Sequence, residues 1–284
     1  MLRKMPENNI LTPSKELPLY GKRILVTSPR SYALRLSEEI IKMGGIPVFM
    51  PTIETCCLSN DANLANIFNH LDKYNWITFT SRNGIMAFFQ RLKTLKIPVS
   101  ALQDNKLCAL GKDAELLLSL SGRVDLIPHE PSPAGIVAEL SKIPNINQQK
   151  VLVPVPQVVG LEEPNVIPNF INDLNNLGME VTRLPAYITK RIDKIIYQEE
   201  LNLIKQGKID IIAFTSTGEI ESFLQMFDSH QDYKNSVIAC FGPYTAANAR
   251  SFGLNVRIVA KDFSSFAGFT KEMAEFYQDS LVKH

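Results

Sequence analysis

The chain has 284 residues, 45% of them hydrophobic and 21% charged, with a formal net charge of +1. That length predicts two domains of ordinary size, and that charge excludes a broad electrostatic footprint for nucleic acid or an anionic membrane, so an acidic ligand must be met by local groups. No segment approaches the roughly 20 uninterrupted apolar residues of a membrane span, and Cys56, Cys57, Cys108 and Cys240 lack zinc-ligand spacing, which predicts a soluble protein of the reducing cytoplasm.

Residues 1–19 mix prolines with both signs of charge and carry no apolar run, so they read as a disordered leader and not as a secretory signal. Residues 22–28, KRILVTS, form a short β-rich run that stops at Thr27, Ser28 and Pro29, the pattern of a buried parallel strand giving way to a loop. Ala33, Leu36, Ile40 and Met43 then share one face of a predicted helix, and Gly44-Gly45 supplies the left-handed position that ends it. IPVFMP follows as a strand, completing a βαβ unit whose right-handed crossover implies a parallel sheet covered by helices. NWITFTS opens a second such unit, with Ile85, Phe88, Leu92 and Leu95 on the apolar face of its helix. A strand KLCALG, a helix from KDAELLLSLS to Gly122, and a strand VDLIP complete the first half.

The second half repeats this order. KVLVPVP (150–156) matches RILVTSP, and PNVIPNFINDLNNLGMEVTRLP repeats the helix, glycine, strand and proline of ALRLSEEIIKMGGIPVFMP. IDIIAFTS matches NWITFTS, and a shift of 135 positions carries Phe79 to Phe214, Ile85 to Ile220, Phe88 to Phe223 and Leu92 to Phe227. VIACFGPYTAANARSFGLNVRIVA matches the KLCALG block at a shift of 131, from Gly111 to Gly242. The chain reads A-B-A′-B′, a duplicated α/β half, and open parallel sheets bind ligands beyond the carboxyl ends of their strands.

Candidate site residues cluster at those ends. Thr80-Ser81 and Thr215-Ser216 stand between strand and helix, where a hydroxyl caps the helix or free backbone N–H groups hold an anion. Gly111 and Gly242 let the backbone approach the next helix or a ligand. Lys112 and Arg30 pair with ligand carboxylates or with solvent, and Thr245 is a ligand contact or a first-turn hydroxyl. Tyr187, in RLPAYITK, is a phenol presented to a cleft or a half-buried tyrosine with a hydrogen-bond partner. G-x-G-x-x-G, P-loop, H-E-x-x-H and G-x-S-x-G motifs are absent from the sequence, and its four histidines are scattered, so dinucleotide, phosphoryl-transfer, metalloprotease and Ser-His-acid chemistry lack their usual signatures.

GKRILVTSPR, GGIPVFMPTIE, DKYNWITFTSRNGI, LGMEVTRLPAYIT, IDIIAFTSTGEI and CFGPYTAANARSFGL, in that order across residues 21–270, resemble the uroporphyrinogen-III synthase family. The resemblance implies an α/β fold of two doubly wound parallel-sheet lobes in which A pairs with B′ and B with A′. One lobe holds residues 20–51 plus 190–284, the other 56–184, and residues 52–55 and 185–189 are extended linker strands. It implies cyclisation of hydroxymethylbilane, a linear tetrapyrrole with eight carboxylates, to uroporphyrinogen III with loss of water and inversion of ring D, by a monomer without cofactor or metal. Tyr187 matches the tyrosine of the second linker strand and is assigned a catalytic role, positioning the substrate or donating a proton. Thr27, Thr80, Ser81, Thr215, Ser216, Gly242, Pro243, Tyr244 and Thr245 match substrate contacts. The chain departs from the pattern at Ser28, where arginine is frequent, at Gly111-Lys112-Asp113-Ala114, where Gly-x-x-Thr is usual, and in PVPQVVG, which lacks a basic residue. Arg30 and Lys112 are the cations that compensate.

Two alternatives stay open at this stage: a non-catalytic two-lobed binding protein closing on a small anionic ligand, and a glycosyltransferase of two Rossmann-like lobes. The second lacks a nucleotide-phosphate loop and a metal-binding acidic pair.

Overall fold

The computed structural model describes residues 16–58 and 62–281. The predicted leader falls outside the described residues as far as residue 15. At residues 16–19 the chain is folded: Leu19 is fully buried and its N–H donates to the Met43 carbonyl, so an apolar side chain anchors this end where a disordered leader was expected.

Ile24, Leu25 and Val26 are buried in β1 (Arg23–Val26), and α1 (Arg30–Lys42) buries Ala33, Leu36 and Ile40 as their spacing predicts. Gly44, at φ +83°, turns the chain out of α1 into β2 (Ile46–Phe49). The middle of the chain forms β3 (Ile53–Cys57), α2 (Ala62–Phe68), β4 (Trp76–Phe79), α3 (Arg82–Thr94), β5 (Lys106–Ala109), α4 (Asp113–Ser121), α5 (Pro133–Leu140), β6 (Lys150–Val159), α6 (Val166–Asn176) and β7 (Glu180–Arg191). The remainder forms α7 (Gln198–Lys205), β8 (Ile211–Phe214), α8 (Thr217–Leu224), β9 (Val237–Cys240), α9 (Pro243–Ser251), β10 (Val256–Val259) and α10 (Phe266–Leu281). Helices α2, α5, α7 and α10 have no counterpart in the sequence reading.

Two compact units result, one of residues up to Glu54 with those from Arg191 onward, the other of Thr55–Lys190. In the first unit the sheet runs β10-β9-β8-β1-β2, parallel throughout. Strand residues alternate between its two faces: Leu25, Ile212 and Phe214 join the apolar face of α7, α8 and α9, and Ile24, Val26 and Ile211 join that of α1 and α10. In the second unit the order is β3-β7-β6-β4-β5, with β7, β6, β4 and β5 parallel. Its faces are covered by α2, α3 and α4 on one side and by α5 and α6 on the other. The fold is α/β with parallel sheets.

VDLIP is not a strand. A single bridge joins Cys108 to Leu126, because the Asp125 side chain accepts the Leu107 N–H at 2.7 Å in place of a backbone carbonyl and Pro128 has no N–H to continue a ladder.

Candidate active site

In the first unit, neighbouring strands β1, β8 and β9 end in a common corner. Thr27 follows β1, Thr215-Ser216 follows β8, and Gly242 caps α9 ahead of Pro243, Tyr244 and Thr245. Thr27 is fully buried, Thr245 nearly so, Arg30 is exposed at the start of α1, and Tyr244 is 55% exposed.

The Thr-Ser turn here is occupied by a residue that sequence reasoning missed. Glu219, in the first turn of α8, is 1% exposed. Its Oε2 accepts the Thr215 N–H at 2.8 Å and lies 2.9 Å from Thr27 Oγ1. Its Oε1 accepts the Thr215 hydroxyl and, at 3.1 Å, that of Ser216. Thr52 Oγ1 donates to the Glu219 carbonyl at 3.0 Å. Burial pushes the Glu219 carboxyl above the usual carboxylate range, against these donors, which favour its ionised form. Ser216 sits at the N-cap of α8 without accepting a cap hydrogen bond, and its hydroxyl donates to Glu219. The Ser216-x-x-Glu219 spacing of a capping box was the legible signal.

In the second unit Thr80-Ser81 follows β4 in the same way, and Ser81 is a true N-cap: its oxygen accepts the Gly84 N–H at 3.1 Å. Tyr187, 7% exposed on β7, places its hydroxyl oxygen 3.3 Å from Ser81 Oγ. Gly111 follows β5 at φ +42°, and exposed Lys112 caps α4. Asp113, also missed, begins α4; its carboxyl takes the Arg82 N–H and faces the Arg82 charge, yet partial burial raises its pKa above the ordinary value. The sequence-derived residues therefore form one group in each unit, Thr27, Arg30, Thr215, Ser216 and Gly242–Thr245 in the first, Thr80, Ser81, Gly111, Lys112 and Tyr187 in the second. Among the described residues no group of three or more His, Cys, Asp or Glu side chains could hold a metal ion, and no helix is long and apolar enough to cross a membrane.

The family model for uroporphyrinogen-III synthase HemD matches residues 35–269. The chain belongs to the uroporphyrinogen-III synthase family. It is 25% identical over 260 residues to the porphyrin biosynthesis protein HemD of Ruminiclostridium josui, covering 91% of this chain and 49% of that one, so it spans about half the length of that relative. It is 25% identical over 259 residues to the uroporphyrinogen-III synthase of Synechococcus elongatus, covering 88% of this chain and 93% of that one. A mutant uroporphyrinogen III synthase of Thermus thermophilus superposes with a TM-score of 0.65 at 14% identity, over 91% of this chain and 99% of that one, and so shares the fold. Family membership does not favour the non-catalytic binding protein considered from the sequence.

Proposed function

We propose that the chain acts as a uroporphyrinogen-III synthase, closing hydroxymethylbilane to uroporphyrinogen III with inversion of ring D. The observation that carries the mechanism is the Ser81–Tyr187 pair, a buried phenol held 3.3 Å from the hydroxyl that caps α3. The reaction breaks the C–O bond of the terminal hydroxymethyl group, and the oxygen leaves as water once it gains a proton. The cationic azafulvene that remains is attacked by the substituted carbon of ring D to form a spiro intermediate. The older bond from that carbon to its bridging methylene breaks, and the methylene rejoins ring D at its free carbon so that the ring is inverted. The proton that the free carbon loses restores the acid that protonated the leaving oxygen. We assign the proton to Tyr187. A phenol of ordinary pKa, about 10, is a weak donor at neutral pH; we assign Ser81 as the donor across its 3.3 Å contact with the phenolic oxygen while it accepts from Gly84, an arrangement that polarises the phenol O–H through a cooperative chain. The bilane also closes unaided to the uninverted isomer, so holding it in the spiro geometry is the second task, one of proximity and orientation.

The substrate's carboxylates call for hydrogen-bond donors and cations. Thr80, Gly111 and Lys112 serve in the second unit, and Arg30 and the α9 N-terminus from Gly242 to Thr245 serve in the first, each through modest charge-assisted contacts. Thr27, Thr215 and Ser216, expected from the sequence to touch substrate, spend their hydroxyl donors on Ala213 and Glu219 and support that corner from beneath. We read the units as two lobes, 20–51 plus 190–284 and 56–184, joined by residues 52–55 and 185–189. The division of the chain after Glu54 and after Lys190 supports this. An internal duplication is supported by strand order: β2-β1-β8-β9 and β7-β6-β4-β5 coincide when A is laid on A′ and B on B′. A cytoplasmic monomer working without cofactor or nucleic acid belongs to the same reading.

Incubation with freshly made hydroxymethylbilane, followed by oxidation and separation of the products, is the test. Isomer III above the spontaneous background is expected, and isomer I alone at the spontaneous rate overturns the proposal.

A further inference from the structure

Thr27 Oγ1 carries one hydrogen and lies 2.8 Å from the Ala213 carbonyl oxygen and 2.9 Å from Glu219 Oε2. With an ionised carboxyl both neighbours are acceptors only, and one of these close contacts contains no hydrogen. With a proton on Oε2, the acid donates to Thr27, Thr27 donates to Ala213, and each contact becomes a hydrogen bond. The Thr215 N–H and the Thr215 and Ser216 hydroxyls still find lone pairs on the acid. Burial acts the same way, because these partners are all uncharged and an ionised carboxylate withdrawn from water without a cation is costly.

We infer that Glu219 is a positioning residue for the cyclisation: as a neutral acid it fills the anion seat at the end of β8 and presets the Thr27, Thr215 and Ser216 hydroxyls without adding a charge that repels a polycarboxylate. This rests on the synthase reading. The groups facing Glu219 are Thr27 from β1, Thr52 from the segment after β2, Thr215 and Ser216 from its own turn, and the Cys240 thiol at the end of β9. Burial pushes the thiol to about 12, opposed by the Arg250 charge and assisted by Glu219, so it stays neutral as Glu219 titrates. Position 84, which corresponds to 219, is glycine, so the second unit has no acid from the same helix position, and the carboxyl at its turn is Asp113, which faces the Arg82 charge.

Glu219→Gln keeps a neutral donor and acceptor in the seat. The wild-type KM for hydroxymethylbilane is expected to rise about tenfold as pH climbs through the ionisation of Glu219, while that of Glu219→Gln stays flat within about twofold and kcat changes little in either. Equal pH dependence of KM in both proteins overturns the inference, because a merely structural role moves stability and not this difference. An infrared difference spectrum, wild type against Glu219→Gln without substrate, is expected to lose a protonated carboxyl band at neutral pH; loss of an ionised carboxylate band overturns it. If Glu219→Gln does not fold, the protonated band followed by pH titration in an Asp113→Asn background gives the same decision. Absence of isomer III from the wild type sinks the synthase reading with the positioning role, and the infrared result still decides the protonation state.

Discussion

Ser81 and Ser216 each close a buried four-residue strand with the same Phe-Thr-Ser, yet Ser81 accepts the Gly84 N–H and Ser216 donates to Glu219. The difference is set by two pairs of corresponding residues. In the first unit Thr27 and Glu219 meet as hydroxyl and carboxyl, and in the second Pro154 and Gly84 meet with no side-chain polar atom between them. One turn is filled by an acid from its own helix, and in the other Asp113 of the neighbouring helix takes the Arg82 N–H while the serine hydroxyl stands beside a tyrosine. A repeated motif thus keeps its backbone role while its hydroxyls divide between internal support and proposed chemistry.

The strongest way to break this comparison is to remove the phenol. Tyr187→Phe retains the buried ring and loses the hydroxyl near Ser81, and kcat for isomer III is expected to fall about 100-fold, the lower end for a lost general acid, with KM little changed. Full turnover with full isomer III yield would remove Tyr187 from the mechanism.

Gly84→Glu carries the acid of the first unit into the second. A Cβ there meets the Pro154 carbonyl oxygen at 3.3 Å and Ser81 Oγ at 3.4 Å, so the new side chain has neither the room nor the Thr27-type partner that Glu219 enjoys. A loss of about tenfold in kcat/KM is expected, with destabilisation of about 1–3 kcal/mol from overpacking. An active, undiminished variant would mean that the two turns are interchangeable.

Alanine at the paired serines sharpens the contrast further. Ser81→Ala removes a cap worth about 1 kcal/mol and the partner of Tyr187, so both the unfolding midpoint and kcat are expected to fall. Ser216→Ala removes one of several donors to Glu219, and a stability loss of about 0.5–1.5 kcal/mol with kcat within about twofold is expected. A kinetic defect of equal size in both variants would argue that the two hydroxyls do the same work.

The parts of the fold written locally were legible in the sequence. Strands β1, β4, β8 and β9 are short, largely apolar runs ending at Thr-Ser or, for β9, glycine turns, and α1 and α3 declare themselves by spacing. Helix α7, with Leu201 and Ile204 buried in eight residues, is too short to show a period, and α10 follows the end of the repeat and so had no template in the first half. VDLIP has strand composition, but its ladder is intercepted by Asp125. The site was legible as positions and not as partners. Thr27 and Glu219 lie 192 residues apart and Ser81 and Tyr187 lie 106 apart, so neither contact leaves a local trace.

The smallest effect concerns the two glycines at corresponding strand ends. Gly111 has φ +42°, a left-handed conformation that costs a non-glycine residue roughly 1–2 kcal/mol, and an added Cβ meets Pro131 Cβ at 3.3 Å. Gly242 is extended at φ −161°, where any residue fits, and its neighbour is Phe263 Cβ at 3.2 Å, so the Phe263 segment has only to give by a few tenths of an ångström. Gly111→Ala is therefore expected to destabilise the protein by about 1 kcal/mol, and Gly242→Ala by no more than about 0.5 kcal/mol, measured from urea unfolding midpoints. If backbone at Gly242 touches the substrate, Gly242→Ala raises KM despite its small stability cost, which a purely structural glycine does not do. Unchanged KM in that variant would leave the first unit's grip on the substrate to Arg30 and the α9 N-terminus beyond Gly242.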